Sequence, residues 1–405
     1  MSGERFRGHC FMININDFYD LIVIGGGPAG SVTARYAAEN GASVLILERD
    51  REVGIPVRCG EGVSHAGIEP FIEIEDRFIA STITAARLFD SKGEYLDIEN
   101  MPKGYILERR IFDNALVDKA CSFGAKILTK ANAVGLIFEG KKISGVKFIM
   151  NGKEYNIRCN IVVGADGVES RVGRWAGIDT LLPMRDLETC VQYTLSGIDV
   201  PDDRGQFYFH VPGGYIWIFP KSKSTANVGI GIAGHLSGEK NAKAYLDEFV
   251  ADKFPDAAIT CTVCGGVPTA TMLKKPYADN IMIVGDSARQ VNPITGGGIV
   301  QVMIAGAIAG KTAAEAVKKN DFSAGMLKNY AKEWAKILGK NQKFMYNIKE
   351  DFFAMQGHKF DDLIAACKKI PKEKMTIKEL FYQAVKGHPL LLAQMATSFV
   401  ISRFK

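Results

Sequence analysis

The stretch LIVIGGGPAG, residues 21–30, decides the fold of the first part of this 405-residue chain. Its first four residues form a continuous apolar run, of the kind that is buried on both faces of a parallel sheet. Three glycines follow at once, and Ser31 to Asn40 is a predicted helix that Gly41 ends. A second strand, Ser43 to Leu47, leads into Glu48. This order of strand, glycine turn, helix, strand and acid predicts a βαβ unit that binds a dinucleotide.

Each residue of the turn has a physical reason to be there. Gly25 permits the tight turn, Gly27 lets the backbone approach a pyrophosphate, and Gly30 lets the helix pack closely on the strand. The helix N-terminus around Ala29 offers free N–H groups and the positive end of its dipole to the phosphates. Glu48 is placed to accept hydrogen bonds from ribose hydroxyls. The alternative is a glycine-rich loop that holds no ligand.

The composition is that of a globular protein, with 47% hydrophobic, 10% aromatic and 23% charged residues. It excludes a disordered tail, a collagen and a disulfide-stapled miniprotein. The formal net charge of +5 comes from 50 basic and 45 acidic residues, which is too mild to indicate nucleic acid. We find no stretch of the ~20 apolar residues that a membrane-spanning helix requires, and we expect the first eleven residues to be disordered.

The eight cysteines are irregularly spaced, which favours a reduced, intracellular protein. Cys261 and Cys264 form a single CxxC that could bind a metal or act as a redox pair. Two ordinary thiols in a strand or turn are the favoured interpretation, because a structural zinc site normally needs four ligands. We therefore predict no metal.

Two further glycine motifs distinguish FAD from NAD. Gly164-Ala165-Asp166-Gly167 follows a short apolar strand at 161–163, and Gly285-Asp286 follows another at 280–284 and precedes Gly296-Gly297-Gly298. Separate pieces that converge on one long cofactor suit FAD. With these motifs in this order, the sequence resembles the flavoprotein hydroxylase superfamily. That resemblance implies that Asp286 holds the ribityl chain, that Arg109 lies near the cofactor, and that Ala133 offers main-chain contacts near the adenine.

The glycine run at 296–298 opens a predicted helix, Ile299 to Lys319. Reduced flavin carries negative charge at one edge of its ring, and a helix N-terminus aimed there stabilises that charge by ~0.3–2 kcal/mol. The alternative is that these glycines serve only a tight turn.

The fold class that follows is α/β with an α+β insert: a Rossmann-type FAD-binding domain of the flavoprotein hydroxylase type, an antiparallel β-sheet substrate domain and a helical C-terminus. The predicted FAD-binding domain is discontinuous, over 12–80, 104–180 and 275–325. The substrate domain covers 81–103 and 181–274, and the helical region covers 326–405. In that last region Leu327, Tyr330, Trp334 and Ile337 are predicted to share one helix face.

Tyr215, Trp217 and Phe219 alternate, so on a strand all three side chains point to one face. Periodicity alone favours a sandwich core over the wall of an apolar cavity. The pattern PxxYxWxFP reverses that preference, because together with Arg58-Cys59-Gly60-Glu61-Gly62 and the run from Asn292 to Ile299 it resembles the geranylgeranyl reductase family. The resemblance is nearest to the members that act on archaeal membrane lipids, and it runs nearly end to end.

That resemblance implies FAD-dependent saturation of the isolated double bonds of geranylgeranyl chains in archaeal membrane glycerophospholipids. Tyr215, Trp217 and Phe219 would line a tunnel for the chain, and Cys59 would lie beside the flavin unless it is a buried structural thiol. The residues predicted to bind FAD are Gly25, Gly27, Ala29, Gly30, Glu48, Cys59, Gly60, Gly62, Arg109, Ala133, Asp166, Asp286, Gly297, Gly298 and Ile299.

The chemistry also requires an acid. An isolated alkene has no electron-withdrawing group, so a proton must be delivered early or in concert with the hydride. No His–Asp or Cys–His pair indicates a donor, and Cys59 and Tyr215 are the candidates. Two other functions share these motifs: an FAD-dependent monooxygenase, and a prenyl-lipid binding protein without catalysis.

The remaining expectations concern partners. The electron donor is a ferredoxin, a deazaflavin or a nicotinamide, and the sequence does not choose among them. We expect a cytoplasmic protein with peripheral contact at the inner face of the cell membrane, because the product is a lipid. The residues that could rest on anionic headgroups are Lys368, Lys369, Lys372, Lys374, Lys378 and the apolar run from Leu390 to Ile401. A solvated basic face and a core helix explain these residues equally well.

Overall fold

The structure, a computed structural model, describes residues 16–99, 101–353 and 358–371, with single residues up to 386. The first eleven residues, Lys372, Lys378 and the run 390–401 lie outside this part of the chain. The strands are β1 (Phe18–Ile24), β2 (Val44–Leu47), β3 (Gly62–Ser64), β4 (Ile79–Ile83), β5 (Ala85–Phe89), β6 (Tyr95–Ile98), β7 (Gly104–Leu107), β8 (Lys126–Leu128), β9 (Ala131–Glu139), β10 (Lys142–Met150), β11 (Lys153–Gly164), β12 (Leu187–Ser196), β13 (Arg204–Tyr208), β14 (Gly214–Ser222), β15 (Thr225–Ala233), β16 (Ala258–Pro268), β17 (Tyr277–Ala278) and β18 (Ile281–Ile283). The helices are α1 (Pro28–Glu39), α2 (His65–Ile68), α3 (Arg109–Ser122), α4 (Arg171–Trp175), α5 (Ala242–Lys253), α6 (Ile299–Lys319), α7 (Ala324–Trp334), α8 (Lys340–Phe353) and α9 (His358–Cys367).

The first sheet carries the glycine turns. Its strand order is β17-β18-β11-β1-β2-β8, with β10 and β9 continuing from β11. The strands β18, β11, β1, β2 and β8 run parallel, and α1 connects β1 to β2 as the sequence predicts. The carboxyl ends of β1, β11 and β18 therefore lie side by side, which brings the three predicted glycine motifs to one edge of the sheet.

One strand of this sheet differs from its prediction. The residues 161–163, predicted as a short strand of their own, form the end of the longer strand β11, which begins at Lys153. Its first half pairs antiparallel with β10 and its second half parallel with β1. Asn160 does not interrupt the strand, because its side chain donates to Asp20 Oδ1 at 3.3 Å and its carbonyl accepts from Asn280 at 2.8 Å.

The second sheet has the order β16-β12-β15-β14-β13-β5-β6. It is antiparallel as predicted except for β13 and β5, which run parallel. The strands β5 and β6 precede α3 in the chain, whereas the other strands of this sheet follow α4. They therefore join the sheet from a separate segment. The helix α5 covers one face, where Ile216, Ile218 and Leu246 are buried in a common core. A small third sheet, β3-β7-β4, lies in the chain between α1 and α3.

The helix α6 packs against α1 through glycines. A Cβ at Gly306 would lie 3.2 Å from the Thr33 hydroxyl, and one at Gly310 would lie 2.9 Å from the Tyr36 Cβ. By length and composition alone α6 could cross a membrane, with a mean hydropathy of 1.2, but 61% of that apolar stretch is buried inside the protein. This is the packing of a core helix.

The predicted face of α7 is confirmed for Leu327, Tyr330 and Trp334, which are all buried. It is wrong for Ile337, which is 42% exposed. The reason is a π-helical turn at Ala335–Gly339, whose wider spacing rotates the chain away from the face that a regular helix would continue.

Candidate functional site

The glycine turn after β1 has the geometry that a phosphate cradle needs. Gly25 has a φ of +111°, and a Cβ there would overlap the Ala165 carbonyl. A Cβ at Gly30 would overlap the Gly25 carbonyl, so both glycines are required for the backbone to pack. Around Gly27, in contrast, no atom lies within 4 Å of the Cβ position. The backbone at Gly27 therefore faces open space at the start of α1.

Glu48 holds this turn from the end of β2. Its Oε2 accepts the N–H of Gly26 at 2.7 Å and its Oε1 accepts the N–H of Asp50 at 2.9 Å. The Glu48 carbonyl accepts from Ala131, two residues before the predicted Ala133 on the buried strand β9. The structure thus places Glu48 and Ala133 at the same end of the site.

A cavity of about 590 Å³ runs from this turn to the second sheet. Such a volume is typical of sites for cofactors and small molecules. The predicted residues that line it are Gly27, Ala29, Cys59, Gly60, Gly62, Arg109, Tyr215, Trp217, Phe219, Asp286, Gly297, Gly298 and Ile299. The predicted residues that lie outside its lining are Gly25, Gly30, Glu48, Ala133 and Asp166.

Asp286 and Arg109 are the charged pair beside the glycine run 296–298. Burial raises the pKa of the Asp286 carboxyl to about 6, and the Arg109 guanidinium opposes that rise. Arg109 is fixed by two hydrogen bonds to Asp113, both of 2.7 Å. A fixed cation and a carboxyl whose pKa is raised therefore both line the cavity.

Asp166 lies between Ala165 and Gly167, which both line the cavity, and has a carboxyl oxygen that a ligand would complete. Its Oδ2 accepts the N–H of Val172 at 3.0 Å, whereas its Oδ1 is buried and has no hydrogen-bond partner. Burial raises the pKa of this carboxyl. An unpartnered carboxyl oxygen, the open space at Gly27 and a long connecting cavity together fit a dinucleotide with polar groups at both ends, as FAD has.

The segment from Cys59 to Gly62 lies between the cofactor-type loops and the second sheet. Cβ atoms at Gly60 and Gly62 would be 3.0 and 3.3 Å from the Phe219 ring, so only glycine fits against this aromatic side chain without displacing it. The Cys59 Sγ accepts the N–H of Glu61 at 3.2 Å, and burial raises the pKa of the thiol. Cys59 is therefore a neutral thiol at the cavity wall.

Glu61, which sequence reasoning missed, fixes this segment. Its buried carboxylate accepts from Lys221 at 2.8 Å, from Asn227 at 2.5 Å and from the Arg109 N–H at 2.9 Å. Its own φ is +71°, a left-handed conformation that is uncommon outside glycine. A charged residue between two glycines is the sequence signal that could have identified it.

The aromatic side chains of β14 form a wall that the second sheet presents to the cavity. Tyr215, Trp217 and Phe219 all line the cavity, while Ile216 and Ile218 between them are buried in the core on the opposite face. The wall is extended by Phe207, 5.6 Å from Phe219 between ring centroids, by Phe209, 5.6 Å from Tyr215, and by Phe360 of α9, 4.6 Å from Phe209. Sequence reasoning missed these three phenylalanines.

The polar atoms of this wall already have partners. The Tyr215 hydroxyl donates to the Thr295 carbonyl at 2.5 Å. The Trp217 indole donates to Gln192 Oε1 at 3.0 Å, and the Gln192 amide donates to the Cys59 carbonyl at 2.9 Å. The wall consequently presents rings, rather than free donors, to the cavity.

The strand β12 contributes polar side chains that were not predicted. Glu188, Cys190 and Gln192 alternate along it on the face opposite Val191 and Tyr193, which are buried in the core. Glu188 and Cys190 line the cavity. Their two-residue period is a signal that the sequence carried.

The CxxC pair lies elsewhere. Cys261 and Cys264 are both exposed on β16, and residues three apart on a strand point to opposite faces. Within the described residues, no group of three or more His, Cys, Asp or Glu side chains could hold a metal ion. The geometry favours two ordinary thiols over a metal site or a redox pair.

Comparison with known proteins adds independent observations. A model of the family described as "FAD dependent oxidoreductase" matches residues 20–211, and one described as "Geranylgeranyl reductase catalytic domain" matches residues 186–267. The digeranylgeranylglycerophospholipid reductases of Methanosarcina acetivorans and Methanosarcina mazei are each 41% identical over 95% of this chain and 97% of their own. A crystal structure described as geranylgeranyl bacteriochlorophyll reductase-like, from Thermoplasma acidophilum, superimposes with a TM-score of 0.88 at 32% identity, covering 94% of this chain and 99% of that one.

Proposed function

Because the chain belongs to the geranylgeranyl reductase family, we infer that it is an FAD-dependent oxidoreductase that saturates the double bonds of geranylgeranyl chains in archaeal membrane glycerophospholipids. The fold and the cofactor agree with the predictions made from the glycine motifs. The observation that carries the function is the continuity of the cavity, which reaches from Gly27 past Asp286 to the aromatic wall.

Residues at different places along this cavity have different roles. When bound, FAD supplies the hydride that the double bond accepts. The turn at Gly27 and the N-terminus of α1 bind its phosphates, and the glycine run at 296–298 offers backbone N–H groups at the start of α6. The aromatic wall excludes water and holds an apolar chain in place. Its ring faces also stabilise positive charge that develops at the substituted carbon during proton transfer.

The test is an anaerobic reaction. The purified, FAD-loaded protein is reduced with dithionite and mixed with digeranylgeranylglycerophospholipid, and the lipid is analysed by mass spectrometry. We expect mass gains in steps of two hydrogens. Gain of an oxygen atom in an aerobic parallel reaction would identify a monooxygenase, and unchanged lipid with tight lipid binding would identify a carrier.

We propose that the electrons arrive from an external donor that docks transiently. In the sequence, the GxGxxG turn that follows a strand and opens a helix is the one at 25–30, which FAD would occupy. A nicotinamide donor would therefore have no second fingerprint of this kind to bind, which favours a protein donor or a transient visit. Reduced ferredoxin, reduced deazaflavin and NADPH are compared at equal concentrations by the rate of flavin bleaching. The donor that is at least tenfold faster than the others is the physiological class.

We also propose that the protein is cytoplasmic and contacts the inner face of the cell membrane peripherally, since its substrate is a lipid. Of the basic residues predicted for this contact, Lys368 is paired with Glu94 at 2.9 Å. Flotation with vesicles, with and without anionic lipid, measures the contact. A chain truncated at residue 370 that stays folded and still binds would place the contact outside the C-terminal segment.

A further inference from the structure

Glu188 is a buried carboxyl that is not among the residues predicted to bind FAD. It lies at the start of β12, is 4% exposed and lines the cavity. Its Oε1 has no hydrogen-bond partner. A buried, unsatisfied carboxyl costs free energy, so its presence in an apolar slot requires a reason.

The neighbours of Glu188 place it at the aromatic wall. Gly231 on β15 pairs with Cys190 of β12. A Cβ at Gly231 would be 3.3 Å from Glu188 Oε2, 3.2 Å from Cys190 Sγ and 3.7 Å from the Trp217 indole. The carboxyl, the thiol and the indole therefore converge on one spot, and the absence of a side chain at Gly231 leaves room beside them. This is the part of the cavity that would hold a prenyl chain.

Among the described residues, Glu188 forms no ion pair. The cation that acts on its carboxyl is Lys349 of α8, whose ammonium donates to Asp186 at 3.0 Å and to the Thr269 carbonyl at 2.9 Å. Lys349 is thus committed to Asp186, the residue just before β12. Burial raises the pKa of Glu188 to about 8, against the opposing effects of Lys349 and the Thr269 hydroxyl.

The other titratable groups that face Glu188 are neutral as well. Burial raises the pKa of Cys190 on the same strand, of Tyr215 on β14 and of Cys59 in the loop before β3. No carboxylate or ammonium among these three competes for its proton. Glu188 therefore carries a proton at neutral pH, in a slot that is otherwise apolar.

We propose that Glu188 is the acid that protonates the double bond. The proposal rests on the function inferred above. The double bond receives a hydride on one carbon, supplied by the reduced cofactor of this family, and a proton from Glu188 on the other. The π bond breaks, two C–H bonds form, and the resulting carboxylate regains a proton from solvent.

Glu188 suits this role better than the two donors predicted from the sequence. The Tyr215 hydroxyl already donates to the Thr295 carbonyl, so its proton is engaged in that hydrogen bond. The Cys59 thiol is a weaker acid than a carboxyl, and burial raises its pKa further. A carboxylic acid kept neutral by its surroundings is a recognised form of general acid.

The first test is a single turnover. Wild type, Glu188→Gln and a control, Glu154→Gln at an exposed position of β11, are loaded with FAD, reduced with dithionite and mixed anaerobically with the lipid. Glu188→Gln should lose roughly 10²–10⁴-fold in the rate of hydrogen addition, as removal of a general acid does, while the control keeps its rate. FAD content should be equal in all three. Unchanged lipid with wild type would overturn the function itself, whereas a Glu188→Gln rate within twofold of wild type would overturn only the role of Glu188.

The second test does not depend on activity. Since the folded-state pKa of Glu188 is raised above the unfolded value, its burial is least costly at low pH and the protein loses stability as pH rises toward 8. Burial raises the pKa of Asp286 to about 6, so this carboxyl lowers stability only as the pH rises to about 6. Between pH 6 and 8 the denaturant midpoint of wild type should fall relative to that of Glu188→Gln. Both proteins share the opposite contribution of His210, whose pKa is lowered by burial, so the difference between the two curves reports Glu188. Parallel curves for the two proteins would show that Glu188 is ionised and would overturn the proposal.

If Glu188→Gln fails to retain FAD, Glu188→Asp replaces it. Aspartate also carries an acidic proton, but its side chain is one methylene shorter, so the proton lies farther from the cavity. Retained FAD with a rate reduced by at least tenfold supports the proposal, and a rate equal to wild type contradicts it.

Discussion

Tyr215 joins two parts of the molecule. Its ring belongs to the aromatic wall, and its hydroxyl donates to the Thr295 carbonyl just before the glycine run 296–298. A buried tyrosine makes two kinds of contact, because its ring packs against apolar groups and its hydroxyl needs a hydrogen-bond partner. At the scale of the single residue, the hydroxyl positions a loop.

Replacing Tyr215 by phenylalanine should therefore affect stability more than chemistry. The variant loses one hydrogen bond, worth about 1 kcal/mol in unfolding free energy, and keeps the ring. We expect turnover within a few fold of wild type, measured as hydrogen added to the lipid. A loss of a hundredfold at unchanged FAD content would make the hydroxyl a proton donor after all.

Glu61 and Glu108 provide a matched pair, because both carboxylates accept from the Lys221 ammonium. Glu61 is buried and has two further partners, whereas Glu108 is 43% exposed. Glu61→Ala should cost about 3–5 kcal/mol of unfolding free energy, since it leaves buried donors unpaired. Glu108→Ala should cost below about 1 kcal/mol. Denaturant titration measures both, and equal costs would contradict the assignment of Glu61 as the anchor of the 59–62 segment.

At the scale of the elements, the shape of the slot depends on small residues of β15 opposite large residues of β14. Trp217 lies across from Gly229, with the two strands in antiparallel register. A Cβ at Gly229 would overlap the indole. The indole therefore keeps its position, and its hydrogen bond to Gln192, only while position 229 is glycine.

Gly229→Ala should displace the Trp217 indole into the cavity. We expect a raised KM for the lipid of at least tenfold with unchanged FAD binding, because the cofactor loops lie on the other sheet. The control is Gly234→Ala, where the nearest atom to the new Cβ is the Met184 methyl at 3.7 Å, an ordinary contact. Equal KM values for the two variants would show that the indole does not shape the lipid site.

Elements could be predicted where a local pattern decides them. The turn at 25–30, α1, α6 and the aromatic alternation of β14 each have a period or a glycine signature that is complete within a few residues. The π-helical turn after α7 and the continuation of β11 through Asn160 could not be predicted. The continuation of β11 depends on a partner distant in sequence, Asn280, which supplies a hydrogen bond that local propensity cannot reveal.

At the scale of the whole molecule, the cofactor site is assembled from pieces that are far apart in the chain. Gly27, Asp166 and Asp286 lie after three neighbouring parallel strands, β1, β11 and β18. The cofactor motifs could be predicted because each is a short string. For Glu188 the two-residue period with Cys190 and Gln192 is a signal in the sequence, but only the structure shows that this face of β12 lines the cavity. The sequence also cannot show that Lys349, from a later helix, is paired with Asp186.

A ligand that bridges these pieces should stabilise the whole fold. FAD at one hundred times its Kd should raise the unfolding free energy of the apoprotein by about 2.7 kcal/mol, since it binds only the folded state. Riboflavin, which lacks the pyrophosphate and the adenosine, should have a much smaller effect at the same concentration. Thermal unfolding measures the difference, and equal shifts would show that the turn at Gly27 contributes nothing to binding.

The close contact between α1 and α6 has a consequence for how the protein is made. The ribosome releases α1, which ends at Glu39, long before α6, which begins at Ile299. At a synthesis rate of roughly 5–20 residues per second, α6 is made roughly 10 to 50 seconds after α1, and until then the glycine turn of the nascent chain lacks this helix. When α6 emerges, its apolar residues are exposed to water until Gly306 and Gly310 dock on α1. Chaperones that shield late apolar helices should therefore raise the yield of soluble enzyme during expression.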